Sequence, residues 1–351
     1  MSTDMSERGL ETLIANSLRE DAGYIESNPS DYDRAYCIDK TQLLEFLRTT
    51  QSQAVARLTT IYGAGFEDKL LKRICDQIKS KGIVDILRNG VKAQEDVNLT
   101  LYYKQPASQL NPETIQRYHA NRFSVTRQLR YSNDNPKLAL DLVIFINGLP
   151  VITFELKNNL TKTNVKDAMR QYQTDRNPQE PLFNFARCLV HFAVDEEFVY
   201  MTTELNGKST PFLPFNQGRK SDPNLRFPDS AGNPINPNGI TTNYLWKQIL
   251  SKPSLSNIIE KYAQIVGEKS DSKKKKRKLI FPRYHQLDVV RKLLTDTKEK
   301  GIGQRYLIQH SAGSGKSNSI TWLSYQLVEL TDTTNTNPVF DSIVVVSDRK
   351  L

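Results

Sequence analysis

Apolar residues recur at helical spacing near the start of the chain and at strand spacing in its middle. Leu10, Leu13, Ile14 and Leu18 share one face of a helix predicted over residues 10–22, with Gly23 as its stop. The same period predicts helices in KTQLLEFLRTT and in EDKLLKRICDQIKSKG, where Leu70, Leu71, Ile74 and Ile78 form one stripe before Gly82. From residue 97 the texture turns strand-like, through VNLTLYY and FSVTRQLRYS to LALDLVIFINGLPVITFELKN, two apolar runs around a turn at Asn147 and Gly148. A polar helix, NVKDAMRQYQTDR, follows; RCLVHFAVDEEFVYMTT then reads as a strand, a turn at Asp195, Glu196 and Glu197, and a returning strand. Residues 206–240, rich in Pro, Gly, Asn and Ser, predict long loops, and NYLWKQIL and SLSNIIEKYAQIV restore helix.

Residues 267–278 are charged and polar with no apolar period, and are expected to tether one domain over 1–266 to another over 279–351. In the second, YHQLDVVRKLL predicts a helix, RYLIQ a buried strand, HSAGSGKS a loop, NSITWLSYQLVEL a helix and SIVVVS a second buried strand. Mixed helices and strands of this kind predict an α/β fold.

The chain has 351 residues, 38% hydrophobic and 25% charged, a globular composition with room for more than one domain. No apolar run approaches the roughly 20 residues that span a bilayer, so no membrane is expected. The opening MSTDMSERGLETL lacks the apolar core of a signal peptide. Cys37, Cys75 and Cys188 show neither a disulfide framework nor paired metal spacing, which makes a reducing, cytoplasmic setting the expectation. Net charge is +9, yet six of the positive charges sit in the run KKKKRK, Lys273 to Lys278. The rest is nearly balanced, so a nucleic-acid reading rests on sites rather than on charge. The run itself reads as a solvated tether able to brush phosphates.

Charged residues inside apolar strands cost free energy unless paired or bound to metal. Asp141 opens the first strand of the hairpin, and Glu155 and Lys157 lie in the second. A short turn near Asn147–Pro150 puts Asp141 opposite residues 154–156, and alternation puts Glu155 and Lys157 on one face. With Asp141 across from Glu155, two carboxylates and an ammonium gather, since opposed Cβ atoms lie only about 5 Å apart. Such carboxylates repel unless a cation lies between them, and their oxygens suit Mg²⁺. The ion would polarise a phosphodiester and activate water, with Lys157 positioning that water or stabilising developing charge. The competing reading makes Glu155 and Lys157 solvent-facing residues of an edge strand.

LIQHSAGSGKSNSITWL carries the most specific pattern in the chain, a strand running into Gly313, Ser314, Gly315, Lys316 and Ser317 with a helix beginning there. Glycines let backbone N–H groups close round phosphates at a helix N-terminus. Lys316 would reach the β and γ phosphates of ATP and Ser317 would ligate Mg²⁺; His310 stands where the strict pattern has a small residue.

The order of Asp141, hairpin, Glu155-x-Lys157 and helix resembles the PD-(D/E)xK nuclease core, with Leu140 where that family often has proline. The resemblance implies a further metal-site glutamate from an early helix, Glu11, and backbone contacts to DNA from the helix after the hairpin, with Arg170, Gln171 and Tyr172 as candidates; the family's Gln-x-x-x-Tyr spacing is absent. Arg176, on the same segment, reads as a phosphate contact or part of a solvated face. FPRYHQ, ahead of the phosphate loop, is similar to the glutamine motif of superfamily 2 helicases, which implies that Gln286 reads the adenine edge.

Nuclease core, tether, glutamine motif and phosphate loop in this order resemble the restriction (R) subunit of type I restriction enzymes across the whole chain. GLETLIANSLREDAGY, YLWKQILSKPSLSNII and RYHQLDVVRKL agree with it. The resemblance implies a restriction-endonuclease-like mixed sheet flanked by helices, then a partial RecA-like domain. It further implies Mg²⁺-dependent DNA cleavage coupled to ATP-driven translocation of double-stranded DNA, with modification and specificity subunits as partners. S-adenosylmethionine would be bound only by the modification subunit. The acidic pair and second lobe of such motors are not in the sequence, so it reads as a fragment expected to bind ATP weakly and not to translocate. Two other classes stay open: an inactive DNA-binding or assembly module with structural carboxylates, and a nucleotide-binding protein without nuclease activity.

Overall fold

Strands that are apolar on both faces must lie inside a sheet covered on both sides. The computed structural model, which describes residues 7–106, 110–158, 162–218, 232–237, 239–267, 277–334 and 337–347, shows this arrangement. Helix α1 (Glu7–Glu20) leads through β1 (Ile25–Glu26) and a small ribbon, β2 (Tyr32–Asp33) with β3 (Ile38–Asp39), into a helical block. The block comprises α2 (Lys40–Thr50), α3 (Ser52–Tyr62), α4 (Phe66–Lys81) and α5 (Ile83–Asn89). A second ribbon, β4 (Val91–Gln94) with β5 (Val97–Leu99), and α6 (Pro112–His119) precede three long strands, β6 (Phe123–Arg130), β7 (Ala139–Ile146) and β8 (Leu149–Leu156). Then come α7 (Val165–Thr174), β9 (Val190–Val194), β10 (Val199–Thr202), β11 (Leu213–Pro214), α8 (Lys252–Asn257), β12 (Gln264–Gly267) and β13 (Arg277–Ile280).

Seven strands form one mixed sheet in the order β1-β6-β7-β8-β9-β10-β11. The pairs β1–β6 and β8–β9 are parallel. The latter needs a crossover, which α7 supplies, packing back on β8 and β9. Strand β8 therefore lies at the centre, and all eight of its residues are buried. The edge-strand reading of Glu155 fails on this point. Helix α1 packs on β6, β7 and β8. Its partner α7 is started by Asn164, whose side chain and that of Asp167 cap each other's backbone N–H groups. The amide of Val165 donates to Asp195 Oδ2 at 2.8 Å, tying α7 to the end of β9.

The tight turn of the central hairpin is Asn147–Gly148, both at positive φ (49° and 80°), the geometry that matches strand twist in a two-residue loop. It is buried rather than solvated. Asn147 Oδ1 accepts from the Arg122 amide at 2.7 Å, and Asn147 Nδ2 donates to Leu101 O at 2.9 Å. Pro150 is tolerated inside β8 because it sits at a register shift, paired with Phe145.

The chain divides into two compact units, Met1–Phe281 and Pro282–Leu351. The division falls beyond the expected tether because β12 and β13 pair with each other and Phe281 packs on Phe192 and Phe215. Residues 268–276, which hold most of the tether and of the basic run, lie outside the described residues. The second unit contains α9 (Tyr284–Lys300) and α10 (Lys316–Val328) as expected. The two predicted buried strands are not there. RYLIQ and SIVVVS carry no strand pairing, and Leu307 and Val346 are 93% and 90% exposed. A strand exists only where neighbours satisfy its backbone, and the described residues of this unit supply only an isolated bridge, Thr331 to Pro338. No helix among the described residues is long and apolar enough to cross a membrane.

A Cβ on Gly148 would lie 2.4 Å from Asp39 O and 2.7 Å from Leu43 N. Gly148→Ala is expected to lower the unfolding free energy by at least about 2 kcal/mol, combining strain at positive φ with a backbone clash. Urea unfolding checks this; a loss under about 0.5 kcal/mol, typical of an unconstrained surface site, contradicts it.

Candidate active site

The two-residue turn pairs Ile146 with Leu149 and Phe145 with Pro150; the register shift that follows, between Ile144 and Phe145, then sets Val143 against Thr153 and Leu142 against Phe154. Asp141 follows just beyond the last of these pairs, beside Glu155 and Leu156. Asp141 Oδ2 accepts from the Leu156 amide at 2.7 Å, which seats the carboxylate over the end of β8. Glu155 is fully buried; its Oε1 accepts from Arg176 Nε at 2.6 Å, and its Oε2 has no hydrogen-bond partner. Lys157 follows the last residue of β8, partly buried, with its amide donating to Val194 O at 2.9 Å.

Electrostatics follow from this placement. Burial first, and then the charge of Asp141, push the Glu155 carboxyl up to about 8, against the pull of Arg176 and Lys157. Burial also raises Asp141, while the Leu156 amide and Lys157 draw it down. Two carboxyls that resist sharing negative charge, one with an open oxygen, form a donor set that a hard divalent cation relieves. Mg²⁺ commonly uses one or two protein carboxylates and fills its octahedron with water and phosphate oxygens. The residues fit that ion.

Glu11 lies beside this pair but is engaged elsewhere. Its Oε1 accepts from Arg127 Nε at 2.6 Å and its Oε2 from Gln128 Nε2 at 2.5 Å. Among the described residues, no three of His, Cys, Asp and Glu converge as metal ligands. The expected third ligand is thus a neighbour of the pair rather than a member.

Two expectations for the helix after the hairpin and the residues that follow it change, those for Tyr172 and Arg176. Tyr172 is fully buried, its hydroxyl 2.7 Å from Thr153 Oγ1, which also meets His191 Nδ1 at 2.7 Å. It is a core residue, because α7 presents that face to β8 and β9, and it cannot touch DNA. Burial lowers His191 to about 3, so its ring is neutral. Arg170 is exposed and pairs with Asp167 at 2.7 Å; Gln171 is partly buried. Arg176 is neither solvated nor available to phosphate. Its side chain is 4% exposed, Nη2 donates to Ala139 O at 2.7 Å, and the guanidinium lies 5.6 Å from the Tyr131 ring centroid. The link from Arg176 to Glu155 was hidden in sequence, since 21 residues separate them.

In the second unit, Gly313 and Gly315 adopt positive φ and α10 begins at Lys316. Lys316 Nζ donates to His310 O and Ser311 O at 3.2 and 3.0 Å, folding back over its own loop. Gln286 is buried, accepts from the Arg283 amide at 2.9 Å, and donates to Ser314 O and Gly315 O, both at 3.1 Å. Expected at an adenine edge, its amide here holds the loop's carbonyls. Ser317 is exposed in the first turn of α10.

Residues 4–210 match the family described as type I restriction enzyme R protein N terminus. The chain is 24% identical over 284 residues to the type I restriction enzyme HindI endonuclease subunit of Haemophilus influenzae, covering 78% of this chain and 24% of that protein. It is 23% identical over 269 residues to the putative type I restriction enzyme MjaVIIIP endonuclease subunit of Methanocaldococcus jannaschii, with 75% and 24% covered. Against the type I restriction enzyme SsaAORF53P endonuclease subunit of Staphylococcus saprophyticus it is 24% identical over 352 residues, with 98% and 32% covered. The chain therefore spans about a quarter to a third of the length of these relatives.

A carboxyl that keeps its proton to about pH 8 when folded, against an ordinary value of 4.5, binds more protons folded than unfolded between those limits. Without divalent cations, unfolding free energy should therefore fall as pH rises through that window and level off above it. Glu155→Gln should flatten the fall. Thermal unfolding from pH 5 to 9 in chelator checks this, and an unchanged slope in the variant would contradict it.

Proposed function

Because the chain belongs to the family of the type I restriction enzyme R protein N terminus, we propose that Asp141, Glu155 and Lys157 form a Mg²⁺-dependent centre that hydrolyses the phosphodiester backbone of double-stranded DNA. The observation that carries the reading is the seating of Asp141 on the Leu156 amide, beside Glu155, with Glu155 Oε2 buried and unpartnered. Asp141 and Glu155 are the residues that would hold the ion. Mg²⁺, when bound, supplies Lewis-acid polarisation of the phosphodiester and a water of lowered pKa. Arg176 fixes Glu155 by its Oε1, leaving Oε2 as the open valence. Lys157 positions the attacking water and balances negative charge that builds on the phosphoryl oxygens.

The second unit supports a nucleotide-binding role, the start of a RecA-like helicase domain. Lys316 would exchange the carbonyls of His310 and Ser311 for phosphate oxygens of ATP, and Ser317 would approach its Mg²⁺. In the longer protein this couples cleavage to ATP-driven translocation, within a complex that includes modification and specificity subunits. S-adenosylmethionine enters only through the modification subunit.

In the assembled complex, Asp141→Ala and Lys157→Ala should each lower DNA cleavage by at least about a hundredfold while ATP hydrolysis persists. Normal cutting by both removes the site assignment. In the chain itself, Glu155→Ala should abolish Mn²⁺ uptake measured by calorimetry. Lys316→Ala should weaken binding of ATP by at least about tenfold, and equal binding would sink the loop's proposed role.

A further inference from the structure

Strand β6 contains a conformational exception. Gln128 lies within it at φ 48°, a left-handed value that glutamine rarely adopts. Its neighbours show the effect. Thr126 and Ser124 pair with Val143 and Phe145, which pack in one apolar cluster with Leu129 and Leu140. In a regular ladder, Leu129 would share the face of Arg127 rather than that of Thr126. The strands therefore exchange faces between the Arg127–Leu142 and Leu129–Leu140 rungs, where Gln128 and Asp141 stand. With alternation broken, two consecutive side chains, Arg127 and Gln128, both reach Glu11 on α1. Gln128 Nε2 donates to Glu11 Oε2 at 2.5 Å and, more weakly, to Asp141 Oδ1 at 3.4 Å. The side chain is exposed, so it adds no core packing.

We infer that Gln128 is a positioning residue of the cleft, its amide tying the α1 carboxylate Glu11 to Asp141 across the left-handed kink in β6. Two carboxylates that would otherwise repel are bridged by one NH₂ group, which has a donor for each. Arg127 holds the other oxygen of Glu11 and Thr12 beside it, at 2.6 and 2.8 Å. Asp141 is thereby held by Gln128 on one oxygen and by the Leu156 amide on the other. Partners behind a metal ligand commonly alter metal affinity by about ten- to a hundredfold when removed. The inference rests on the metal-centre reading above, but it concerns orientation of Asp141 rather than ligation.

Gln128→Gly removes the amide while accepting the backbone without strain, and Gln128→Asn keeps an amide on a residue that tolerates positive φ but is one methylene too short to bridge. In the 351-residue chain, both variants should keep the parent's Tm, or exceed it for glycine. Their Mn²⁺ affinity by calorimetry or electron paramagnetic resonance should fall at least about tenfold. Parental Mn²⁺ affinity in both variants overturns the inference while leaving the metal centre standing, provided that Glu155→Ala abolishes uptake in the same titration. A fall in affinity matched by collapse of Tm in both also overturns it, reducing Gln128 to a structural residue. A parent chain that takes up no Mn²⁺ removes the metal reading, and this inference with it.

Discussion

A carboxyl group at the centre of a sheet, wholly out of water, is the constraint on which the rest of this structure turns. Glu155 has β7 on one side of its strand and β9 on the other. Withdrawing such a group from solvent is expensive, and an ion pair in so dry a place seldom repays it in full. The Arg176 guanidinium answers one oxygen of Glu155 and is itself pinned by Ala139 O and the Tyr131 ring. Its hold on Ala139, at the start of β7, joins the segment after α7 to the strand that carries Asp141. The pairing is thus structural in its partners and incomplete in its satisfaction, and the remaining oxygen gives the cleft its chemical character.

Distant parts of the chain serve that arrangement. The buried Asn147–Gly148 turn and the register shift beside Pro150 together set the level at which Asp141 meets Glu155. The crossover through α7, anchored by Asp195, places β9 beside β8 and closes the second flank. On the remaining side α1 brings Glu11 up to the same rung. Its charge is answered by Arg127 and Gln128, side by side only because β6 abandons its alternation there. Polar residues in this region form a connected set, each member restricting the next, which suits a centre whose geometry must be right before any ligand arrives.

The second unit follows a different logic. Its glycine loop and the following helix are local features, set by glycine conformational freedom and a helix N-terminus within a short stretch. Among the described residues they form without a surrounding sheet. The two valine- and leucine-rich runs nearby do not become strands, because a strand is defined by its neighbours. Loop and strand thus part company in one short region.

Much of the first unit was legible in the sequence. Helices α1, α2, α4 and α7, the central hairpin and the β9–β10 pair follow from periodicity and turn residues, because those signals act over a few residues. The approach of Asp141 to Glu155 was legible only to within a residue: an Asn-Gly turn alone would set Asp141 against Phe154, and the register shift between Ile144 and Phe145 supplies the last step. Tertiary structure decided what lies beyond that reach. It made Arg176 a buried partner instead of a surface cation, and Tyr172 a core residue instead of a surface one. It took both oxygens of Glu11 away from the pair. The kink at Gln128 left no mark in the sequence, since FSVTRQLRYS keeps its apolar residues at 123, 125, 129 and 131 with only Arg127 interrupting them. Local sequence determines backbone period and turn geometry; which charges are withdrawn from water, and what then answers them, depends on segments far apart in the chain, and only the packed fold brings those together.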